Sequence, residues 1–273
     1  MSLLFQPKPM GFRRLQPGPG ESGAAKRTRS FACRPIIVLL ALAGLVSLQA
    51  AAESPESPVA EVIVLGTLHQ VHNDIAFYGF GDLERIIERL QPDVLCVELQ
   101  PTDLESRPEE RTKQEYPRVV YRSIDKHHYR VYAMEPAEPL YSQLLGPYVD
   151  ANRRFAEEDA RRYAILERFM EGTYDVLKAY WASPADINSE LTDRVFRAKH
   201  DLQGALAGPG EVAGWEAWNQ HFLDVIETAA RESPGKRVLV LVGLDHTYWL
   251  RDRLRSSKGL QLVDTAKRLE DIN

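Results

Sequence analysis

The stretch that decides the fold runs Val-Ile-Val-Leu-Gly-Thr-Leu-His, from Val62 to His69. Its first four residues are apolar and lack the polar alternation of a strand that faces water on one side. Unbroken apolar runs are typical of strands covered on both faces, as in a parallel sheet between helices. Three further runs of this kind occupy residues 94–97, 131–134 and 238–242. The sequence therefore predicts four buried strands.

The segments between these runs have the spacing of helices. From residue 82 to residue 90, apolar residues recur every three or four positions, and Pro92 ends the pattern. A second crossover spans residues 102–127, and a last helix over residues 247–255 leads into a possible edge strand, residues 260–263. We therefore predict an α/β fold: a mainly parallel sheet with flanking helices.

An inserted all-helical subdomain is predicted between the third and fourth strands, over residues 138–231. Apolar side chains recur there at intervals of three and four residues, as in helices that pack one face against a neighbour. Ser183 followed by Pro184 fits an N-cap and a first helical position. The three stripes consist of Tyr163, Leu166, Met170, Tyr174, Leu177 and Trp181; of Ile187, Leu191, Val195, Ala198, Leu202 and Leu206; and of Val212, Trp215, Asn219, Phe222, Ile226 and Ala229.

Residues 1–52 differ in composition from the rest of the chain. They hold seven of the 34 Lys and Arg residues and one of the 39 Asp and Glu residues. A basic stretch, residues 26–34, precedes an apolar run, residues 35–48, that is too short to cross a bilayer comfortably. Residues 50–52 are alanines, the small residues that signal peptidase needs. We predict a cleaved secretory signal ending near Ala52, with an uncleaved membrane anchor as the alternative.

Residues 53–273 are then expected to form a single periplasmic or secreted α/β domain without a stable membrane span. They contain 27 basic and 38 acidic residues, a net charge of −11. DNA and anionic lipid bind basic surfaces, so this composition disfavours both as partners, and we predict no nucleic-acid binding. An acidic surface favours a divalent cation over an anionic substrate. Cys96 is the one cysteine in this part of the sequence, which excludes an intrachain disulfide.

Each predicted strand ends in an ionisable residue. His69 follows the first strand, Glu98 the second, Glu135 the third and His246 the fourth. The carboxyl ends of parallel strands meet at one edge of a sheet, where ligands bind. Both histidines stand in a Gly-x-x-His motif, whose glycine lets the backbone turn sharply at the strand end. The sequence therefore predicts one site built from these four side chains.

These segments resemble a known superfamily. Residues 62–69, 92–99 and 240–246 are similar to the motifs of the group that includes TraB/PrgY, the TIKI proteases, the haem-binding ChaN lipoproteins and the erythromycin esterases. Met134-Glu135-Pro136 resembles the Leu-Glu pair that follows the third strand of the family. Trp218-Asn219 resembles its Arg-Asn pair, with the arginine missing.

The resemblance implies an exported hydrolase of the TraB/TIKI type that cleaves a peptide or ester bond. It assigns the active site to His69, Glu98 and His246 and adds Glu135. With a metal, His69 and His246 are ligands, Glu98 is a ligand or the general base, and Glu135 completes the metal shell or orients a histidine. Two neutral imidazoles and one or two carboxylates suit Zn²⁺, Mn²⁺ or Co²⁺, and the metal lowers the pKa of a bound water towards about 7.

Two further polar residues are expected to contact the substrate, a peptide or a small molecule. His72 lies three residues after His69, in the same predicted loop. Asn219 is the polar member of an apolar helical stripe, and a buried amide without hydrogen bonds costs about 1–3 kcal/mol. Asn219 therefore bonds the backbone of a neighbouring helix or points into the active site; both alternatives stay open. The sequence leaves the oligomeric state undefined.

Two other functions stay open beside the metal-assisted hydrolase. In a metal-free esterase, Glu98 holds His69, which withdraws a proton from water, while His246 stabilises the oxyanion. In a haem- or small-ligand-binding protein of the ChaN type, histidines such as His127 and His128 bind the iron of the haem.

Overall fold

A computed structural model describes residues 58–109 and 111–271. Its centre is a five-stranded, all-parallel β-sheet with flanking helices, which confirms the predicted α/β fold. The predicted secretory signal, residues 1–52, lies outside the described residues. The strands are β1 (Ala60–Thr67), β2 (Val94–Val97), β3 (Arg130–Ala133), β4 (Arg237–Gly243) and β5 (Leu260–Leu262).

Within the described residues, ten α-helices connect and cover the strands. The predicted first helix and the predicted edge strand are both present, as α1 and β5. A short 3₁₀-helix follows β1, and a single π-helical turn precedes α3. The bounds are α1 (Phe80–Leu90), α2 (Pro101–Ser106), α3 (Tyr121–His127), α4 (Leu140–Glu158), α5 (Ala160–Tyr180), α6 (Pro184–Ile187), α7 (Glu190–Ala207), α8 (Pro209–Arg231), α9 (Leu244–Leu254) and α10 (Thr265–Asp271), with the 3₁₀-helix over His69–Asn73 and the π-helical turn over Tyr116–Val120.

The strand order is β3-β2-β4-β1-β5, so the last long strand of the chain lies in the middle of the sheet. In the register of β1 with β4, Thr67 pairs with Gly243. In the register of β2 with β4, Val97 pairs with Leu241. The carboxyl ends of β1, β2 and β4 are therefore adjacent, and the residues that follow them share one edge.

The middle strands are buried on both faces, as their unbroken apolar sequences predict. Every residue of β2 and nearly every residue of β1 and β4 is buried. Cys96 lies inside β2, and burial raises the pKa of its thiol, which fits a core residue better than a nucleophile.

Helix α9 begins at Leu244, three residues before its predicted start. Gly243 has extended backbone angles, so the chain passes from β4 directly into the helix without a loop. His246 consequently lies in the first turn of α9, at the carboxyl edge of the sheet.

The helices α4 to α8 occupy the predicted insert. Ser183 caps α6 through its side chain, and Pro184 is at the first helical position, as predicted. The apolar stripe of α5 is largely buried, through Leu166, Met170, Leu177 and Trp181. No helix in the described part of the chain is long and apolar enough to cross a membrane.

The stripe predicted for α7 is wrong. Leu191 and Leu202 are exposed, and the buried side of α7 is largely polar. That side faces α9 and α8, where Asp193 pairs with the buried Arg251 and His200 reaches Asp245. The hydrogen bonds and ion pairs of this polar side outweigh the burial of a narrow apolar stripe. The buried polar positions of α7 are Thr192, Asp193, Lys199, His200 and Gln203.

Candidate functional site

Three of the predicted residues meet at the carboxyl edge of the sheet. The Nε2 atoms of His69 and His246 each lie 4.0 Å from the same oxygen, Oε1 of Glu98. The side chains of Glu98 and His246 are almost fully buried, whereas that of His69 is 23% exposed. Solvent therefore reaches the cluster from the side of His69.

The first Gly-x-x-His motif turns the chain at the end of β1. His69 has a positive φ of 52°, in the left-handed region, and starts the 3₁₀-helix that follows the strand. Gly66 is needed for close packing, because an added Cβ atom would lie 2.4 Å from Cδ2 of Leu244. The backbone N–H of Gly66 donates to Oδ1 of Asn188, at 2.8 Å.

The glycine of the second motif makes room for the histidine of the first. A Cβ atom added to Gly243 would lie 2.6 Å from Nε2 of His69, closer than real Cβ contacts allow. The N–H of Gly243 donates to Oε2 of Glu98, at 2.7 Å. Both Gly-x-x-His motifs therefore contribute to a single arrangement.

Glu115 holds His69, a contact that the sequence analysis missed. Nδ1 of His69 donates to Oε1 of Glu115 at 2.8 Å, and Oγ1 of Thr67 donates to the same oxygen at 2.8 Å. Glu115 is fully buried. Burial opposes protonation of His69, but the charge of Glu115, its hydrogen bond and the charge of Glu98 outweigh it and raise the pKa of His69 to about 9.

Asn219 orients His246. Nδ1 of His246 donates to Oδ1 of Asn219 at 2.7 Å, while Nδ2 of Asn219 donates to the carbonyl of Trp215 at 2.8 Å. This arrangement fixes the tautomer, with the proton on Nδ1 and the lone pair on Nε2 facing Glu98. Burial lowers the pKa of His246 below its ordinary value, against the charges of Glu98 and Asp245, so the ring is neutral at pH 7.

The two alternatives for Asn219 are thus both partly realised. Its amide bonds a backbone carbonyl, and its oxygen contacts a residue of the site. Since both polar atoms of the amide are engaged within the protein, Asn219 acts on His246 and not, in this conformation, on a substrate.

Glu98 stays ionised although it is buried. Burial raises its pKa, but the charges of Lys113, His69 and His246 and the N–H of Gly243 outweigh this effect and lower the pKa to about 2. The Glu98 backbone is also fixed, because its N–H donates to the hydroxyl of Tyr116 at 2.8 Å. A permanent negative charge therefore stands between the two imidazoles.

Lys113 joins Glu98 to Glu135, the predicted residue after β3. Nζ of Lys113 lies 3.2 Å from Oε1 of Glu98 and donates to its backbone carbonyl at 2.9 Å. Nζ also forms a short hydrogen bond with Oε1 of Glu135. The charges of both carboxylates outweigh burial and raise the pKa of Lys113, so its ammonium is permanent. Glu135 therefore belongs to the cluster through Lys113.

The predicted metal ligands His69, Glu98, Glu135 and His246 do not form a coordination shell in this arrangement. In the described part of the chain, no group of three His, Cys, Asp or Glu side chains is placed to hold a metal ion. The ammonium of Lys113 already lies between the two carboxylates that a cation would neutralise. A metal at His69 would also have to displace the proton that Glu115 and Glu98 favour there, since, against the effect of burial, these carboxylates raise the pKa of His69 to about 9.

His72 has a structural place. It is 1% exposed, its Nε2 accepts from the N–H of Leu68 at 3.0 Å, and its Nδ1 donates to the carbonyl of Tyr78 at 2.6 Å. Both ring nitrogens are used by the backbone of the turn after β1. His72 therefore shapes the loop that presents His69, and has no ring nitrogen left for a substrate.

A second polar cluster adjoins the first through Asp245. Its carboxylate forms a short ion pair with Lys199, accepts from Nε2 of His200 at 3.0 Å, and accepts from the hydroxyl of Tyr174 at 3.2 Å. Burial and the charge of Lys199 lower the pKa of His200 to about 4, so this ring is neutral. Asp245 thus links the site to α5 and α7 of the insert.

The ring of Trp215 lies between two imidazoles. It stacks on His200 with centroids 3.9 Å apart, and on His246 with centroids 4.7 Å apart; both pairs are nearly parallel. The aromatic face of Trp215 packs on the His246 ring and limits its rotation. Helix α8 therefore provides both the side chain that accepts a hydrogen bond from His246, Asn219, and the aromatic ring that packs on it, Trp215.

The histidines suggested for haem lie elsewhere. His127 and His128 are exposed and precede β3, so they are at the amino edge of the sheet. Their rings are separated from the cluster by the length of a strand. The structure thus places them apart from His69 and His246.

The fold and the site together define an α/β protein with a buried histidine and carboxylate cluster at the carboxyl edge of its parallel sheet. Comparison with family models, with curated proteins and with solved structures gave no match. The similarity to the TraB/TIKI superfamily stays a prediction that depends on the motifs.

Proposed function

We propose that this protein is a hydrolase of ester or peptide bonds, in which His246 is the general base and His69 the general acid. The observation behind the proposal is that two imidazoles flank one carboxylate and have pKa values shifted in opposite directions. Titratable groups whose environments separate their pKa values are typical of acid and base partners in catalysis. In the metal-free alternative that the sequence leaves open, His69 is the base and His246 stabilises the oxyanion; the proposal here exchanges the positions of the two histidines.

His246 has the properties of a base. Its Nδ1 proton is committed to Asn219, so Nε2 presents a lone pair. The 4.0 Å from Nε2 to Glu98 is too long for a hydrogen bond, which leaves that lone pair available to a water molecule. In the proposed step, Nε2 takes a proton from this water as its oxygen attacks the carbonyl carbon of the substrate.

His69 has the properties of an acid. It is protonated at neutral pH, and its Nδ1–H is held by Glu115. Its Nε2–H is free to donate to the oxyanion formed by the attack, and then to the leaving alcohol or amine. Because this ring is the exposed member of the cluster, a substrate meets it first. General acid and base catalysis of this kind contributes about 10²–10⁴-fold each.

Glu98 completes the cycle by staying ionised between the rings. After the reaction, His246 has gained a proton and His69 has lost one. The negative charge of Glu98, 4.0 Å from each Nε2, stabilises whichever imidazole is protonated. Transfer of one proton from His246 to His69 through solvent restores the starting state, so protons balance over a turnover.

The test compares hydrolysis of p-nitrophenyl esters and of a fluorogenic peptide by the purified full chain and by three variants. His69→Ala, His246→Ala and Glu98→Gln are each expected to reduce the rate about 10²-fold or more. His127→Ala is the matched control, since this exposed histidine lies at the other edge of the sheet, and its rate is expected to equal that of the wild type. Equal rates in all four variants, with folding verified by circular dichroism, would refute the proposal.

A second experiment, with metal ions removed and added back, distinguishes this mechanism from the metal-assisted one. The chain is dialysed against a chelator and assayed alone and with Mn²⁺, Co²⁺ or Zn²⁺. We expect the same rate in every case, because the proposed steps use only side chains. A rate that appears only with metal, together with bound metal lost in His69→Ala, would favour the predicted metal ligands instead.

We also propose that the protein acts outside the cytoplasm, in the periplasm or as a secreted protein. The support is the order of basic stretch, short apolar run and alanines in residues 26–52. The test fractionates expressing cells and determines the N-terminus of the exported chain. Cleavage near Ala52 is expected; a chain found only in the cytoplasm with its N-terminus intact would contradict export.

A further inference from the structure

Helix α5 has two apolar faces, and only one of them is packed against other residues in the described part of the chain. Leu166, Met170 and Leu177 are buried against the rest of the insert. The other face presents apolar side chains that are between 43% and 70% exposed. A contiguous exposed apolar surface on one helix is typical of an interaction site. We call this surface the outer stripe of α5; it consists of Ile165, Phe169, Gly172, Val176 and Tyr180.

The outer stripe is nearly symmetric about its own middle. Ile165 and Tyr180 are equally far from the midpoint between residues 172 and 173, and so are Phe169 and Val176. If a second copy of α5 lies antiparallel across this point, each large residue meets a large residue of the other copy. That is the self-complementary pattern required by a two-fold interface. The stripe is about 22 Å long, at 1.5 Å per residue.

Gly172 lies at the point where the two helices would cross. A Cβ atom added there meets nothing within 4 Å, so the backbone at this position is open to the outside. A residue without a side chain at a crossing point lets two helices approach closely. The large side chains on either side of Gly172 then pack beside the crossing.

The charges along one flank of the stripe also suit a second copy. Arg168 and Asp175 are both exposed and lie two helical turns apart on the same side of the stripe. In an antiparallel pair, the same flanks of the two helices face each other, so Arg168 of one copy faces Asp175 of the other. The two-fold symmetry repeats this pair, which gives two opposite-charge contacts across the interface.

We infer that the outer stripe of α5 is the contact surface of a homodimer, formed by antiparallel packing of α5 against α5 of a second copy. Dimerisation would place two copies of α5 back to back. Their inner faces would remain directed at the sites, through the bond from Tyr174 to Asp245. The inference does not depend on the hydrolase proposal.

Sedimentation equilibrium of the purified full chain tests the dimer through charge reversal. Arg168→Asp puts two carboxylates face to face, and Asp175→Arg puts two guanidinium groups face to face. Each is expected to raise the dimer dissociation constant about tenfold or more, since like charges across an interface are costly. The double variant Arg168→Asp/Asp175→Arg restores opposite charges and is expected to return the constant to near the wild-type value.

Apolar variants give an independent measurement. Val176→Glu is expected to abolish the dimer without unfolding the chain, because Val176 is the most exposed member of the stripe. Leu202→Glu, at an exposed leucine on α7, is the control and is expected to leave the dimer intact. A wild-type chain that stays monomeric at high micromolar concentration overturns the inference, as does a dimer unaffected by Val176→Glu and by both charge variants.

Vesicle flotation distinguishes a dimer surface from a membrane surface. The chain is mixed with vesicles of phosphatidylethanolamine and phosphatidylglycerol. We expect no flotation that depends on the stripe, because acidic as well as basic residues line α5. A monomer that floats, and whose flotation is lost in Val176→Glu, would assign the stripe to a lipid surface and overturn the dimer.

Discussion

The imidazole of His69 occupies the space directly above Gly243, so that a Cβ atom at residue 243 would lie 2.6 Å from Nε2 of His69. The two residues belong to different Gly-x-x-His motifs, on neighbouring parallel strands. The histidine of one motif therefore requires the glycine of the other.

Gly243→Ala is expected to displace the His69 ring. Overpacking of a closed site costs about 1–3 kcal/mol in the free energy of unfolding, and the moved ring no longer faces Glu98. We expect hydrolysis of the same ester substrates to slow as well, because the displaced ring no longer holds its place in the site. Gly146→Ala is the control, because an added Cβ atom there meets nothing within 4 Å. Wild-type rates and stability in Gly243→Ala would contradict the close contact.

Opposite pKa shifts predict a bell-shaped rate profile. The rate is expected to fall at low pH as His246 gains a proton, below the ordinary histidine pKa of 6.5. It is expected to fall at high pH as His69 loses its proton, near pH 9. Glu115→Gln removes the negative charge that holds the proton on His69, so the alkaline limb should move to lower pH. Titration of the histidine ring resonances by NMR checks both assignments directly.

A rate profile with only one limb would contradict the pairing of an acid with a base. An alkaline limb that does not move in Glu115→Gln would show that Glu115 does not set the pKa of His69. His127→Ala again serves as the reference, since the loss of an exposed imidazole should change neither limb.

Asn219→Asp is expected to move the acidic limb to higher pH. A carboxylate in place of the amide oxygen would accept the Nδ1 proton of His246 and favour its protonated form. A smaller fraction of His246 would then be neutral at acidic pH, so the rate at pH 6 should fall more than the rate at pH 8. An equal loss at both pH values would indicate a disturbed fold and not a shifted pKa.

Lys113→Met is expected to destabilise the fold strongly. Removing the ammonium leaves the carboxylates of Glu98 and Glu135 buried side by side, and breaking a buried ion pair on one side costs about 3–5 kcal/mol. The loss should shrink as the pH falls, because protonation of Glu135, whose pKa is already raised by burial, removes one of the two charges. Chemical denaturation at several pH values measures it.

The double variant Lys113→Met/Glu135→Gln is the informative partner. It removes the charge of Glu135, one of the two buried carboxylates left without the ammonium, and is expected to recover part of the lost stability. Lys126→Met, which removes an exposed lysine from its pair with Glu88, should have little effect on unfolding. If the double variant were no more stable than Lys113→Met, charge would not be the cause of the loss.

The sequence predicts the strand ends well because buried strands have a distinct composition. The run from Val62 to Leu65 has no polar side chain to present to water on either face, so it is expected inside the sheet. His69, which follows this run, is then expected at the carboxyl edge. The same reasoning holds for Glu98, Glu135 and His246. Four of the polar residues in the cluster were therefore found from local patterns alone.

Lys113 and Glu115 have no comparable local pattern. They stand in a segment, residues 107–115, that consists of charged and polar residues and one proline, as in many solvated loops. Only the path of the chain over the sheet edge buries them, and that path is set by contacts distant in sequence. The α7 stripe failed for a related reason, since ion pairs to α9 determine which side of the helix is buried.

The place of β4 in the sheet has a consequence for how the chain is made. During synthesis, β1 and β2 emerge early, yet their common neighbour Arg237–Gly243 emerges only after the whole helical insert. Until then, neither β1 nor β2 has the neighbouring strand that hydrogen-bonds its backbone N–H and C=O groups on that side, and His246 has not been synthesised. Sheet closure and assembly of the site are therefore a single late event, and a nascent chain lacking the last strands holds open β edges suited to capture by a chaperone.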